Sequence, residues 1–192
     1  MIATPRAFLR LGLLVLVAIV LQVSSVGPTR LLGGNADLIP LVVAAVALYA
    51  GSIPGAATGF AAGFLLDLAL GEHVGASSLV LTAVGYGVGR YREVRDPSHG
   101  LIAVPVGATA TAGFVAAFAA VSFMLEFEAS VSVLVFREML ATIVLNAIIA
   151  IPVFAIARRL IRPVLIVDPF EARRRRLAPR ESGPIGLRGL EV

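Results

Sequence analysis

Long apolar runs, broken at short intervals by glycine, proline or charge, dominate this 192-residue chain. A helix that crosses a bilayer needs about 20 largely apolar residues, with a range of about 17–25. By that measure the pattern predicts spans near 7–26, 36–52, 54–71, 75–91, 100–124 and 134–160. Gly27-Pro28 closes the first, and Gly33-Gly34-Asn35 precedes the second. Gly51-Ser52-Ile53-Pro54 divides the second from the third, Gly71-Glu72-His73 ends the third, and Asp96-Pro97-Ser98 follows the fourth. Pro54 fits the first turn of a helix, where no N–H is needed. The second span is short and the turn after it carries no charge. A re-entrant hairpin of 36–52 and 54–71, its tip covered by protein, is therefore an alternative to two crossings. Both arrangements return the chain to the face it started from.

Composition agrees with a membrane setting. The chain is 58% hydrophobic and 15% charged, with a mean hydropathy of +0.95. Soluble domains average roughly 45–50% apolar and about 25% charged. The length suits one helical membrane domain, placed at 1–166, followed by an arginine-rich tail at 167–192 whose polar, proline- and glycine-bearing composition points to disorder. Arg6 and Arg10 before the run Leu11 to Val23 resemble the start of a signal peptide. The run ends in Val23-Ser24-Ser25-Val26-Gly27-Pro28, a poor cleavage site, which favours a retained first helix. No cysteine is present, so there is no thiolate metal or redox site, and His73 and His99 stand too far apart in sequence to suggest a ligand cluster.

All sixteen basic residues are arginine, and the net charge is +4. Their placement at the edges of apolar runs and in the tail argues for an anionic lipid surface rather than nucleic acid. With the amino terminus in the cytoplasm, Arg6, Arg10, Arg90, Arg92, Arg95, Arg158, Arg159, Arg162 and the run Arg173, Arg174, Arg175, Arg176 all fall inside. Arg30, Glu72, Glu126, Glu128, Arg137 and Glu138 then lie outside. Six crossings with both termini cytoplasmic satisfy this distribution. Arg173 to Arg176 read either as a topology signal alone or as a lipid-surface contact.

Steps of four from Gly51 give Gly55, Gly59, Gly63, Asp67, Gly71 and Gly75. On a helix each step advances about 40° beyond a full turn, so Gly55, Gly59 and Gly63 form a slowly winding flat groove on the third span. Helices associate in lipid through close backbone contact at small residues. The groove therefore calls for a tightly packed helix, of this chain or of a partner. Asp67 continues the groove one turn before the span ends. It is expected to face protein and to accept hydrogen bonds from a helix end or loop N–H groups, or to pair with an arginine such as Arg137. Gly71 and Gly75 belong to the connecting loop. Asn146 is expected to hydrogen-bond between helices. Gly85-Tyr86-Gly87-Val88-Gly89 follows no strand and is not a dinucleotide fingerprint.

The stretch "ADLIPLVVAAVALYAGSIPGAATGFAAGFLLDLALGEHVGASSLVLTAVGYGVGRYR" resembles the MreD family of rod-shape-determining proteins. Asp37-Leu38, Gly59-Phe60, Gly63, Asp67, Gly71, Gly75 and Gly85-Tyr86 take the places of that family's motifs, and "REMLATIVLNAIIAIPVFAIARRLIRP", with Asn146, resembles its last helix. Ala36 stands where the family usually has proline, and Phe64 where it commonly has leucine. The resemblance implies an all-α integral membrane protein of about six transmembrane helices. Its architecture would be similar to the substrate-binding subunits of energy-coupling-factor transporters. It also implies a non-enzymatic part in the cell-elongation complex of the bacterial cytoplasmic membrane, affecting cell shape and peptidoglycan synthesis. The implied partners are a bitopic MreC-like protein and, directly or through it, MreB and the peptidoglycan synthases.

A second reading is the substrate-binding membrane subunit of a vitamin-type transporter. Against it, the outer loops hold few of the convergent polar groups that a ligand pocket needs. A proton-coupled carrier using Asp67 lacks a second acid or histidine placed as a relay. No nucleophile–base arrangement, paired carboxylates or phosphate loop suggests an enzyme, and no cofactor is implied.

Overall fold

In the computed structural model, residues 5–26, 30–31, 34–71, 75–95, 102–125 and 133–161 are described. They form six α-helices: α1 Pro5–Leu21, α2 Leu38–Ala50, α3 Ser52–Leu70, α4 Ala76–Val94, α5 Ala103–Leu125 and α6 Val133–Ile161. All six predicted apolar segments are helices; five have limits within three residues of those expected, and α1 ends five residues before the expected limit, at a π-helical turn that runs on to Val26. Between α1 and α2 the chain passes through a π-helical turn at Gln22–Val26 and a two-residue antiparallel ladder, β1 Arg30–Leu31 with β2 Gly34–Asn35, pairing Arg30 with Asn35 and Leu31 with Gly34.

Helix α2 lies at the centre. It is apolar all round, and Ile39 through Leu48 are buried without a break, the pattern of a core helix rather than a surface one. One face packs Leu41, Ala44, Ala45 and Leu48 against Val106 and Ala110 of α5 and Ala150, Phe154 and Ala157 of α6. The other packs Ile39, Val42 and Val43 against Val15 and Ile19 of α1, Ala62 and Leu66 of α3, and Leu81 of α4. Pro40 falls in its first turn, where the missing N–H breaks no helical bond.

At 13 residues, about 20 Å at 1.5 Å per residue, α2 is shorter than the predicted span 36–52 and than a lone crossing requires. Other helices cover it along its length. A single residue, Gly51, joins it to α3, with φ +103°, a conformation that favours glycine. The tip of this hairpin is level with the charged end of α4, because Ser52 bonds to Glu93.

Among the described residues three helices are long and apolar enough to cross a membrane: Ser52–Leu70, Ala103–Val121 and Val135–Ile161. The outward faces are apolar as well. Leu13, Val20, Ile53, Phe60, Leu79, Val144 and Ile148 are all more than half exposed. Such a surface is a liability in water and the expected exterior in hydrocarbon. The molecule is a helical membrane protein.

Candidate functional site

The predicted glycine groove is occupied by α4 of the same chain. An added Cβ on Gly63 would run into the backbone of Ser77 and Ser78, on Gly59 into the Leu81 carbonyl, and on Gly55 into Ala47 of α2 and the Gly85 carbonyl. From the other side, Gly85 meets the Gly55 backbone and Gly89 meets the Ser52 backbone. The two helices thus run antiparallel with Gly63, Gly59, Gly55 and Ser52 set against Ser78, Leu81, Gly85 and Gly89. Close approach of this kind holds helices together in lipid by dispersion. Of the two occupants the groove allowed, the structure shows the internal one.

Carboxylates fasten both ends of this seam. Asp67 is 1% exposed, and its Oδ2 accepts the Gly75 N–H at 2.7 Å, the residue that caps the start of α4. Gly71 ends α3 at φ +68° and Gly75 begins α4 at φ +105°, and an added Cβ on either would meet open space. Their backbone conformation, not crowding, is what calls for glycine. Between the two outcomes expected for Asp67, a loop N–H has prevailed over an arginine: Arg137 is exposed on α6, and Asp67 forms no ion pair among the described residues.

At the other end, Glu93 Oε1 accepts the Ser52 N–H at 3.1 Å and the Ser52 hydroxyl at 2.6 Å. Its Oε2 pairs with Arg90 at 3.0 Å. Glu93 lies in the charged last turn of α4, past the apolar span. The Ser52 hydroxyl, the Ser52 N–H and Arg90 draw its carboxyl down from 4.5 to about 2. An anion at the start of α3 also opposes the positive end of that helix's dipole. No sequence reading singled out Glu93. The signal available was Gly85-x-x-x-Gly89, which marks α4 as the facing ridge and brings its end to the start of α3.

A third polar joint closes the start of α2. Asn146 of α6 is fully buried. Its Oδ1 accepts the Asp37 N–H and its Nδ2 donates to the Asp37 carbonyl, both at 3.0 Å. The same Nδ2 donates to Thr111 Oγ1 of α5 at 3.1 Å. Gln22, in the π-helical turn, donates from Nε2 to Asp37 Oδ1 at 3.0 Å and to the Ala36 carbonyl at 3.2 Å, while its Oε1 accepts the Leu38 N–H at 2.8 Å. The Asn35 N–H donates to Thr142 Oγ1 at 3.1 Å. Asn146 is therefore the interhelical hydrogen-bonder expected of it. The position of Asp37 follows from its backbone: Asn146 addresses its N–H and C=O together, as a neighbouring peptide would.

The structure brings Gly55, Gly59, Gly63, Asp67, Gly71 and Gly75 together along one seam and places Asn146 in a separate joint. Arg173, Arg174, Arg175 and Arg176, with Glu72, His73, His99, Glu126 and Glu128, lie outside the described residues. Among the described residues no buried side-chain polar atom lacks a hydrogen-bond partner, and no three of His, Asp or Glu are grouped to hold a metal. Several of the described buried polar groups, Asp67 and Asn146 among them, fix helices to one another, while Thr58 bonds within its own helix.

A family model described as rod shape-determining protein MreD matches residues 5–163. No curated protein and no solved structure matches the chain.

Proposed function

The chain belongs to the MreD family of rod shape-determining proteins, and from that premise we propose that it is a non-enzymatic, multi-pass component of the cell-elongation complex in the bacterial cytoplasmic membrane. The family match over 5–163 carries this reading, since it takes in every described helix. In this reading all six helices cross, as in the substrate-binding subunits of energy-coupling-factor transporters, and both termini lie on the arginine-rich cytoplasmic side. The partner is a bitopic MreC-like protein, through which the complex reaches MreB and the peptidoglycan synthases.

The geometry supports a particular docking face. The Gly55–Gly59–Gly63 ridge is closed by α4, so a partner helix docks elsewhere, and the outer side of the α3–α4 pair offers a groove for it. There a groove runs between Phe60 and Phe64 on α3 and Ser78, Thr82, Ala83 and Tyr86 on α4. Its floor is small and apolar, its walls are aromatic, and it extends about 17 Å along α4 from Gly75 to Tyr86. That suits the single apolar span of a bitopic partner. The vitamin-subunit alternative needs convergent polar groups facing a ligand, and no described buried polar side-chain atom lacks a partner within the protein.

Copurification of the full chain with its MreC-like partner tests the proposal. Ala83→Leu and Thr82→Leu fill the groove without touching the seam, and should lower recovery of the partner and round up rod-shaped cells at unchanged membrane levels. Undiminished recovery and unchanged shape with both variants would remove this face from the interface.

A further inference from the structure

A second groove, of about 440 Å³, opens between α4 and α5 at their arginine-bearing end. Val84, Gly87 and Tyr91 line it from α4, and Pro105, Thr109 and Gly113 from α5. Its walls are apolar in practice, because the Thr109 hydroxyl donates to the Pro105 and Val106 carbonyls of its own helix. An added Cβ on Gly87 would meet nothing within 4 Å, so the depression is open where a side chain would normally fill it.

The groove is blind. Beyond Gly113 the seam is shut by Phe114, buried with Val80 and Leu81 and stacked on Phe118 at 5.6 Å. From Tyr91 to Val84 it rises about 10 Å at 1.5 Å per residue. This stays within one leaflet, whose hydrocarbon is about 15 Å deep, half of a core of about 30 Å. A crossing helix would have to continue through the closed part, whereas a lipid chain would not.

The mouth is cationic. Arg95 caps α4 one turn beyond Tyr91, its N–H bonded to the Tyr91 carbonyl at 2.9 Å, and its side chain is exposed. Arg158 and Arg159 end α6, whose last turns pack through Ala157 and Ile161 against Ala103 at the start of α5. None of these three makes an ion pair with a described residue. Among the described residues the acid nearest Arg95 in sequence, Glu93, is already held by Ser52 and Arg90. Tyr91, 41% exposed, offers a ring that favours headgroup depth.

We propose that the α4–α5 groove is a site for one anionic phospholipid of the leaflet on the arginine side, an acyl chain lying along Gly87 and Gly113 and the phosphate against Arg95. This site is separate from the α3–α4 groove assigned to the protein partner.

Native mass spectrometry of the full chain in detergent, titrated with equal phosphatidylglycerol and phosphatidylcholine, tests it. One phosphatidylglycerol adduct should persist in preference to phosphatidylcholine. Arg95→Gln should reduce that adduct on the order of fivefold, the worth of one basic residue at an anionic surface. Gly87→Leu should abolish it at unchanged thermal stability. Glycerophosphoglycerol, which has the headgroup but no chains, should not compete. Equal adducts of the two lipids would overturn the site. So would an adduct that survives Gly87→Leu but is lost when Arg173 to Arg176 are replaced by glutamine, since that binding belongs to the tail.

Discussion

Asp67 and Glu93 stand at opposite ends of the α3–α4 pair, and each accepts a backbone N–H at the start of the helix it faces. Asp67, on α3, takes the Gly75 N–H ahead of α4; Glu93, on α4, takes the Ser52 N–H at the head of α3. The first N–H groups of a helix have no partner within it. Beside Asp67, which is 1% exposed, such a group has no water to turn to. Each helix therefore supplies what the other lacks, and the pair is closed at both ends.

Replacing Asp67 with alanine should destabilise the protein by about 2 kcal/mol, because it leaves the Gly75 N–H unpaired beside a buried site. Asp67→Asn, which keeps an acceptor oxygen, should lose less. Along α3 the joints lie at Ser52 and Asp67, about 22 Å apart at 1.5 Å per residue, beyond the distance at which substitutions interact. Unfolding of Asp67→Ala, Glu93→Gln and the double variant in mixed micelles should give losses that add within about 0.5 kcal/mol. A clear departure would mean that the two ends communicate.

The Glu93 joint has a defined pH dependence. Its carboxyl is drawn down from 4.5 to about 2 in the folded protein, so its contribution is fully present above the unfolded value and is lost as pH falls through the folded one. The difference in melting temperature between wild type and Glu93→Gln should be constant from pH 8 to about 5 and shrink between about 4.5 and 2. A difference that already fades at pH 6 would mean that Ser52 and Arg90 do not hold this carboxylate.

Glycines of one helix pair should respond in opposite directions. Gly59→Ala drives a methyl into the Leu81 carbonyl, where backbone must move. The loss should fall in the range of about 1–3 kcal/mol for overpacking. Gly87→Ala, with nothing within 4 Å, should be neutral or gain up to about 1 kcal/mol from helix propensity. Equal effects at the two positions would contradict the assigned seam.

Helix positions were legible because hydrophobic run length and Gly/Pro punctuation are local signals: each of the six predicted segments is a helix. The stripe of Gly55, Gly59 and Gly63 was legible too, since i+4 spacing alone puts them on one ridge. Which helix fills that ridge was not, because a partner helix and α4 offer the same small surface. Gly85 and Gly89 held the answer but sat inside a motif-like run considered for nucleotide binding. The joining of Gln22, Asp37 and Thr111 escaped because their contacts link residues far apart in the chain, several of them to backbone atoms that no side-chain pattern marks. The shortness of α2 follows from its burial: covered by protein along its length, it can end at Gly51 without reaching lipid.

The joint at the head of α2 should behave as one unit. Asn146 holds the N–H and C=O of Asp37, and Gln22 holds the Ala36 carbonyl and the Leu38 N–H. The two side chains thus grip one three-residue segment from different helical elements, Asn146 at Asp37 and Gln22 across Ala36 to Leu38. Asn146→Leu strands two backbone groups, each worth about 1–3 kcal/mol when buried unpaired, well above the 0.6 kcal/mol typical of interhelical bonds in membranes. Asn146→Asp should recover little, because an ionised carboxylate cannot donate to the Asp37 carbonyl. Once either grip is gone, the segment is free to turn and re-pair its remaining groups. Gln22→Leu should then remove less from the Asn146→Leu variant than from the wild type, by about 0.5–3 kcal/mol. Unfolding free energies of the four proteins decide the matter: losses that simply sum would show two independent bonds and no clamp.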